Sequence, residues 1–236
     1  MASADPENAT RPSADRTEIT MASPKKTLRE LKAREREVRR DLIVDAARKA
    51  FGKNTYDKVS MQEIARAAGI AKSSIYTYFK NQEALFVEAT YRDTTAFINA
   101  LEAELDKAAG APLAALVERF ITFCTENEVY WKMITRFSLY GEISDESSRK
   151  LDVVARRFMD LLDMVFAHAA ATLDQRLLSH SLFAALSGVL IAFRKYPGRT
   201  DAQSLAHMLR VGRLITDMFD VYLQHEAGGA APATKS

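Results

Sequence analysis

Ser60-Met-Gln-Glu-Ile-Ala-Arg-Ala-Ala-Gly-Ile-Ala-Lys-Ser-Ser-Ile-Tyr-Thr-Tyr-Phe79 reads as two short helices joined by a glycine turn. Ser60 and Glu63 form a capping box, in which each side chain meets the other residue's backbone amide, so a helix opens there and runs to Ala68. Ile64, Ala65 and Ala68 make its inner face, and the small Ala65 lets a second helix cross closely. Gly69 permits the tight turn because it has no Cβ to oppose positive φ. A further helix is expected from Ala71 to Phe79, with Ile70 and Ile75 plugging the joint. This is helix-turn-helix patterning, in which the second helix enters the major groove of DNA. Lys72, Ser73, Ser74, Tyr76, Thr77 and Tyr78 give that helix donors, acceptors and flat rings, and its first amides with Lys72 suit phosphate oxygens.

Upstream, Thr27 and Glu30 form another capping box after Pro24. Val38, Leu42, Ile43, Ala46, Ala47, Ala50 and Phe51 repeat at helical spacing, so a helix from 27 to about 53 is basic early and core-facing late. Glu30–Arg34 and Glu35–Arg39 are favourable pairs on it. Gly52 and Asn54 are read as its stop. Downstream, Asn81 caps a long helix to about Ala108. Helices follow near 113–127, 129–139, 146–172, 175–195 and 202–225, with Asp201 as the cap of the last. No strand alternation and no repeat is visible. The expected fold is all-α, with an N-terminal three-helix DNA-binding domain and a C-terminal helical effector-binding and dimerisation domain. The boundaries are 1–26 for a disordered extension, 27–80 for the head with its basic arm, 81–226 for the body and 227–236 for a disordered tail.

Charge agrees with the head. Residues 25–80 carry 15 basic and 7 acidic side chains, while residues 81–236 carry 16 and 20, so a near-neutral total hides a basic end suited to a polyanion. Lys25, Lys26, Arg29, Lys32, Arg34, Arg36, Arg39 and Arg40 are either extra phosphate contacts or a solvated helix face. The single cysteine, Cys124, excludes an internal disulfide and is compatible with a cytoplasmic setting. The apolar run from Leu182 to Phe193 is too short for a membrane span, which takes roughly 18 residues. His168, His180, His207 and His225 are scattered, and no zinc-ligand, phosphate-loop or nucleophile motif occurs, so neither a metal, a cofactor nor an enzyme is expected.

Residues 38–90, with IARAAGIAKSSIYTYFKNQEALF at their centre, resemble the DNA-binding region of TetR-type bacterial repressors. The specific features are I-A, then A-G-I, then I-Y-x-Y-F-K-N-x-E-A-L-F. The resemblance implies a homodimer on a near-palindromic double-stranded operator and an effector pocket in the body. It aligns Lys72, Ser73, Ser74, Tyr76 and Tyr78 with positions that touch DNA, Ser60 and Lys80 with phosphate contacts, and Thr77 with a weaker contact. Thr55 departs from the glycine that many members have there. In the body, Ser181, Ala185, Gly188 and Ala192, with Leu205, Met208, Gly212, Ile215, Phe219 and Tyr222, are read as a dimer face or as ordinary packing. The aromatic and Met-rich interior is read as core or as the wall of a pocket for a small apolar effector, with Phe123, Trp131 and Tyr140 as first candidates. A ligand-independent regulator and a helical protein-interaction module are the alternatives.

Overall fold

The computed structural model describes residues 24–108, 110–140, 142–167 and 173–229. Residues 1–23 of the expected extension, His168, the tail from 230 and the side chain of Tyr140 lie outside the described residues. The helices are α1 (Pro24–Lys53), α2 (Met61–Ala67), α3 (Lys72–Ile75), α4 (Gln82–Leu105), α5 (Pro112–Glu126), α6 (Glu128–Tyr140), α7 (Asp145–Val165), α8 (Gln175–Phe193) and α9 (Asp201–Gly229), with a 3-10 turn at Tyr56–Lys58. Among the described residues there is no strand.

Two compact units divide inside α1, after Arg39. The described part of the first is helical, is exposed over residues 27–39, and carries the Arg39–Glu35 pair at 2.7 Å. The described helix already includes Pro24, so Thr27 lies inside it and does not open it. Val38 and Leu42, expected to face the core, are each 53% exposed, and the buried face begins at Ile43.

From Arg40 onward, head and body helices form one unit. Ser60 Oγ accepts from the Glu63 amide at 3.1 Å, and Asn81 Oδ1 from that of Ala84 at 2.8 Å, so both caps are realised. Gly69 adopts φ +70°. Thr55 lies in extended backbone, φ −69° and ψ 155°, where a side chain is admissible, which accounts for its departure from glycine. Gly52 is not a stop. It lies within α1, and a Cβ there would come 2.6 Å from Val129 Cγ1 on α6, so the glycine lets the two helices touch.

The last helix is capped by Thr200, not by Asp201. Thr200 Oγ1 accepts from the Gln203 amide at 3.2 Å, and Gln203 Oε1 accepts from the Thr200 amide at 2.9 Å, a reciprocal capping box. Asp201 pairs instead with Lys195 at 3.0 Å. α9 extends to Gly229, three residues into the stretch expected to be a tail.

In the body, α4 packs on α5 and α7, and α5 on α9. Arg194 at the end of α8 is buried and donates to the carbonyls of Cys124 (2.7 Å) and Thr125 (3.1 Å). It thereby satisfies the last turn of α5 with a cation where the helix dipole favours one. By length and composition α8 could cross a bilayer. One of its faces, with Leu182, Leu186, Val189 and Leu190, is buried in the body.

Candidate DNA-binding head and effector cavity

The second helix of the motif is shorter than expected. α3 covers Lys72–Ile75, and Tyr76 to Tyr78 continue as turns. Ile75 and Phe79 are buried and anchor it. Lys72, Ser73, Ser74, Tyr76 and Thr77 are exposed on its outer side, and Tyr78 is half-buried. Thr77 Oγ1 donates back to the Ser74 carbonyl, which satisfies its hydroxyl locally. Ser60 is exposed beside them, its hydroxyl already engaged as a cap. Six of the eight expected DNA-facing residues thus share one contiguous segment.

Lys80 is exposed but occupied. Its Nζ lies 2.8 Å from Glu146 Oε2 in the first turn of α7, and that hydrogen bond raises the lysine pKa while lowering that of the glutamate. Beside it, Glu83 in the first turn of α4 accepts from the Ser144 amide (3.1 Å), the Ser144 hydroxyl (2.5 Å) and the Ser147 hydroxyl. These bonds, the Ser144 hydroxyl first, pull its carboxyl below the usual range. Ser144 is itself the N-cap of α7. The start of α4, directly after the recognition segment, is therefore tied to the start of α7.

A second tie lies one turn further along α4. Glu88 is buried and meets Arg40 of α1 at 2.9 Å, Arg92 of α4 at 2.8 Å and Lys150 of α7 at 2.8 Å. Burial alone would raise its pKa, but the hydrogen bonds from Lys150, Arg40 and Arg92 outweigh it and hold the group at about 2. Arg40, counted with the basic arm in the sequence, belongs to this cluster, and its guanidinium also lies 5.3 Å from the centre of the Phe79 ring. Arg92 pairs with Asp41, and Arg48 with Asp93 at 2.6 Å. Composition offered little warning of these links, although Glu88 inside the apolar run Leu85-Phe-Val-Glu-Ala89 is the kind of lone charge that a core must pair.

Further along α4, Thr90, Thr94 and Phe97 line a cavity of about 410 Å³ shared with α5, α6, α7 and α8. That size falls in the range of roughly 300–1,000 Å³ typical of small-molecule sites. Trp131 lines it, as expected. Phe123 does not: it stands one layer behind, its ring 4.9 Å from that of Phe97. Tyr130 lines the cavity and was not singled out; its hydroxyl is 3.3 Å from Thr94 Oγ1, and burial pushes its pKa up. Cys124 also lines it, its thiol pushed up to about 12 by burial, so it stays neutral and unreactive. Other aromatic residues of the interior are plain core, such as Phe137 against Phe86 at 4.6 Å and Phe166 against Phe219 at 5.6 Å.

The sequence pattern of the bacterial regulatory proteins of the tetR family matches residues 43–89, the segment from the buried face of α1 into α4. The matched segment is a TetR-type helix-turn-helix head. Over 149 residues it is 24% identical to the fatty acid metabolism regulator protein of Bacillus subtilis, covering 60% of this chain and 76% of that protein. It is 33% identical to the regulator BetI of Rhizobium meliloti over 51% of this chain and 60% of that protein. Among solved structures, the regulator FadR from Bacillus subtilis in complex with stearoyl-CoA superposes with a TM-score of 0.60 at 21% identity, over 74% of this chain and 96% of that one. AibR in complex with isovaleryl coenzyme A and operator DNA superposes with a TM-score of 0.58 at 19% identity, over 72% and 96%. These likenesses extend the TetR-type fold beyond the head to the helical body.

Most of the α9 stripe read as a dimer face or as ordinary packing is turned inward, with Tyr222 alone of its six residues exposed. Met208 is fully buried, and a Cβ on Gly212 would come 2.7 Å from Ile121 Cδ1 and 2.9 Å from Val117 Cγ1 of α5. Those small and apolar positions serve packing within the chain. The other exposed apolar residues of α9 lie on another face, at Leu214, Met218 and Val221, and α8 adds Leu177 and Ile191. Gly188 of α8 has open space where a Cβ would stand.

Proposed function

We propose that this chain is a TetR-type regulator, a homodimeric, sequence-specific repressor that a small, mainly apolar effector releases from its operator. The observation that carries the reading is α4: one helix begins at the recognition segment and lines the cavity with Thr90, Thr94 and Phe97. In this reading residues 27–80 read DNA, with Lys72, Ser73, Ser74, Tyr76 and Tyr78 at the bases and nearby phosphates, and residues 81–226 hold the effector and the dimer contact. Lys80 exchanges Glu146 for a phosphate on binding. The complexes of FadR with stearoyl-CoA and of AibR with isovaleryl-CoA support an effector with an acyl portion. An interior without room would favour a ligand-independent regulator; the cavity weighs against that alternative.

The geometry supports release in the following way. The cavity is walled by α4 and by Leu151, Val154, Phe158 and Met159 of α7, the two helices that Glu83 and Glu88 tie together. A ligand that wedges between them favours a different α4 tilt, and each 1.4 kcal/mol of preference for that state shifts the operator equilibrium tenfold. The exposed apolar faces of α8 and α9 support pairing with a second copy, which presents two recognition segments at half-sites about 34–36 Å apart.

The test is binding of the purified protein to the DNA flanking its own gene across a salt series. Competitor-resistant binding by a dimer is the expected result. Weak binding that is equal on all DNA, including sites from a genome-wide selection, would overturn the reading.

A further inference from the structure

Three buried hydroxyl oxygens, Thr90 Oγ1 of α4, Thr135 Oγ1 of α6 and Ser187 Oγ of α8, have no hydrogen-bond partner among the described residues, and all three line the one cavity. A helical Ser or Thr has an easy local partner in the carbonyl four residues back. Thr95, Thr125, Ser138 and Ser181 all use it here, at 2.8–2.9 Å. A buried hydroxyl left unpaired costs about 1–3 kcal/mol, so three around one space form a costly arrangement that a ligand's polar group would relieve.

The same walls discriminate by charge. None of the described lining residues is charged; the rest of the surface is aromatic and aliphatic, with Phe97, Phe120 and Phe158 packed ring to ring. A carboxylate or ammonium inside would lose its water with no counter-charge to replace it, a penalty of several kcal/mol. A neutral carbonyl loses far less and finds a hydroxyl donor on each of three walls, of which its oxygen can use up to two.

Resting on the effector reading above, we propose that the cavity takes an uncharged, chain-like apolar group ending in a carbonyl of ester, thioester or amide type. The carbonyl oxygen accepts from the Thr90 hydroxyl, with at most one of the others beside it, and any charged headgroup stays outside. Thr90 is then a specificity-determining residue on the helix that leads to the head, so recognition of the carbonyl acts directly on α4.

Trp131, the single tryptophan of the chain, lines the cavity and reports occupancy by its fluorescence. The full-length protein is titrated with methyl decanoate, decanoate and decyltrimethylammonium, each below its aggregation limit. The ester is expected to bind at least tenfold more tightly than either ion. Thr90→Val, which keeps the shape and removes the hydroxyl, is expected to weaken ester binding five- to tenfold and leave decane binding unchanged. Thr135→Val and Ser187→Ala provide the same comparison should Thr90→Val not fold. An ion that binds as tightly as the ester, no response to any probe, or equal ester binding by all three variants overturns the proposal.

Decanoyl-CoA and free coenzyme A separate the two sources of such a carbonyl. Thr90-dependent binding of decanoyl-CoA assigns a thioester, binding of methyl decanoate alone assigns a small ester, and free coenzyme A binding as tightly as decanoyl-CoA overturns the proposal. Ester binding that leaves operator affinity unchanged would keep the ligand class and sink the release mechanism. Operator release by a charged amphiphile insensitive to Thr90 would do the reverse.

Discussion

Glu88 concentrates more of the molecule's electrostatics than any other carboxylate described, because one buried group answers Arg40, Arg92 and Lys150 from three helices. Its folded pKa of about 2 lies below the ordinary 4.5. The ionised form therefore stabilises the fold fully above the unfolded pKa, and that stability is lost as pH falls from 4.5 toward 2, amounting to at most about 3 kcal/mol. Asp93 works in the opposite sense: burial raises its pKa despite Arg48, so it removes some stability as pH rises through the carboxylate range. Glu88→Gln leaves three cations facing a neutral amide and should cost about 3–5 kcal/mol at pH 7. In thermal melts that is a fall of roughly 6–20 °C for a unit this size, shrinking as pH approaches 3. An unchanged melting profile would mean that the cluster contributes nothing net. On the DNA side, Lys72→Ala should weaken binding about equally on all sequences and flatten the salt dependence by about one unit of slope. A loss confined to one operator sequence would instead give Lys72 a base contact.

Single elements differ in how much of their role their own residues reveal. α2 was legible to within a residue, because Ser60, Glu63 and Gly69 act on backbone only a few positions away, and local chemistry decides a cap and a turn. The long body helices were legible for the same reason, through spacing and breakers. Gly52 was misread, and the two readings of Gly212 could not be told apart, because the atoms that require these glycines, on Val129 and on Ile121 and Val117, are far away in sequence. The cavity hydroxyls were invisible because a helical Thr or Ser normally finds its partner locally, and only the fold reveals that Thr90 and Ser187 do not. The first turn of α7 belongs to the same class. Its hold on Glu83 spans more than sixty residues, and no local signal marks it. Glu83→Ala should loosen that turn alone. Amide exchange at Ser147 and Ser148 is expected to quicken tenfold or more, with α2 amides unaffected, and unchanged exchange would show that the carboxylate does not hold the turn.

For the whole molecule the open question is what covers the apolar faces of α8 and α9. Leu214, Met218 and Val221 follow one another at spacings of four and three, so they share a face of α9, and each is about three-fifths exposed or more. α8 packs beside α9 and presents Leu177 and Ile191. Large apolar side chains left exposed on two neighbouring helices point to an interface rather than a solvated surface. A two-fold interface needs the same patch on both partners, a condition that adjacent helices meet when they pair with their own copies. Charge placed in the centre of the patch tests this without disturbing the core, because both Leu214 and Met218 point away from it. Leu214→Glu with Met218→Glu sets like charges against each other across a two-fold axis. Sedimentation should show a monomer with unchanged helical content. Operator affinity should fall by about a hundredfold or more, because each head then binds its half-site without the high effective concentration that the partner head supplies. A dimer that survives both substitutions would move the interface elsewhere, and a monomer with undiminished operator affinity would mean that one head suffices.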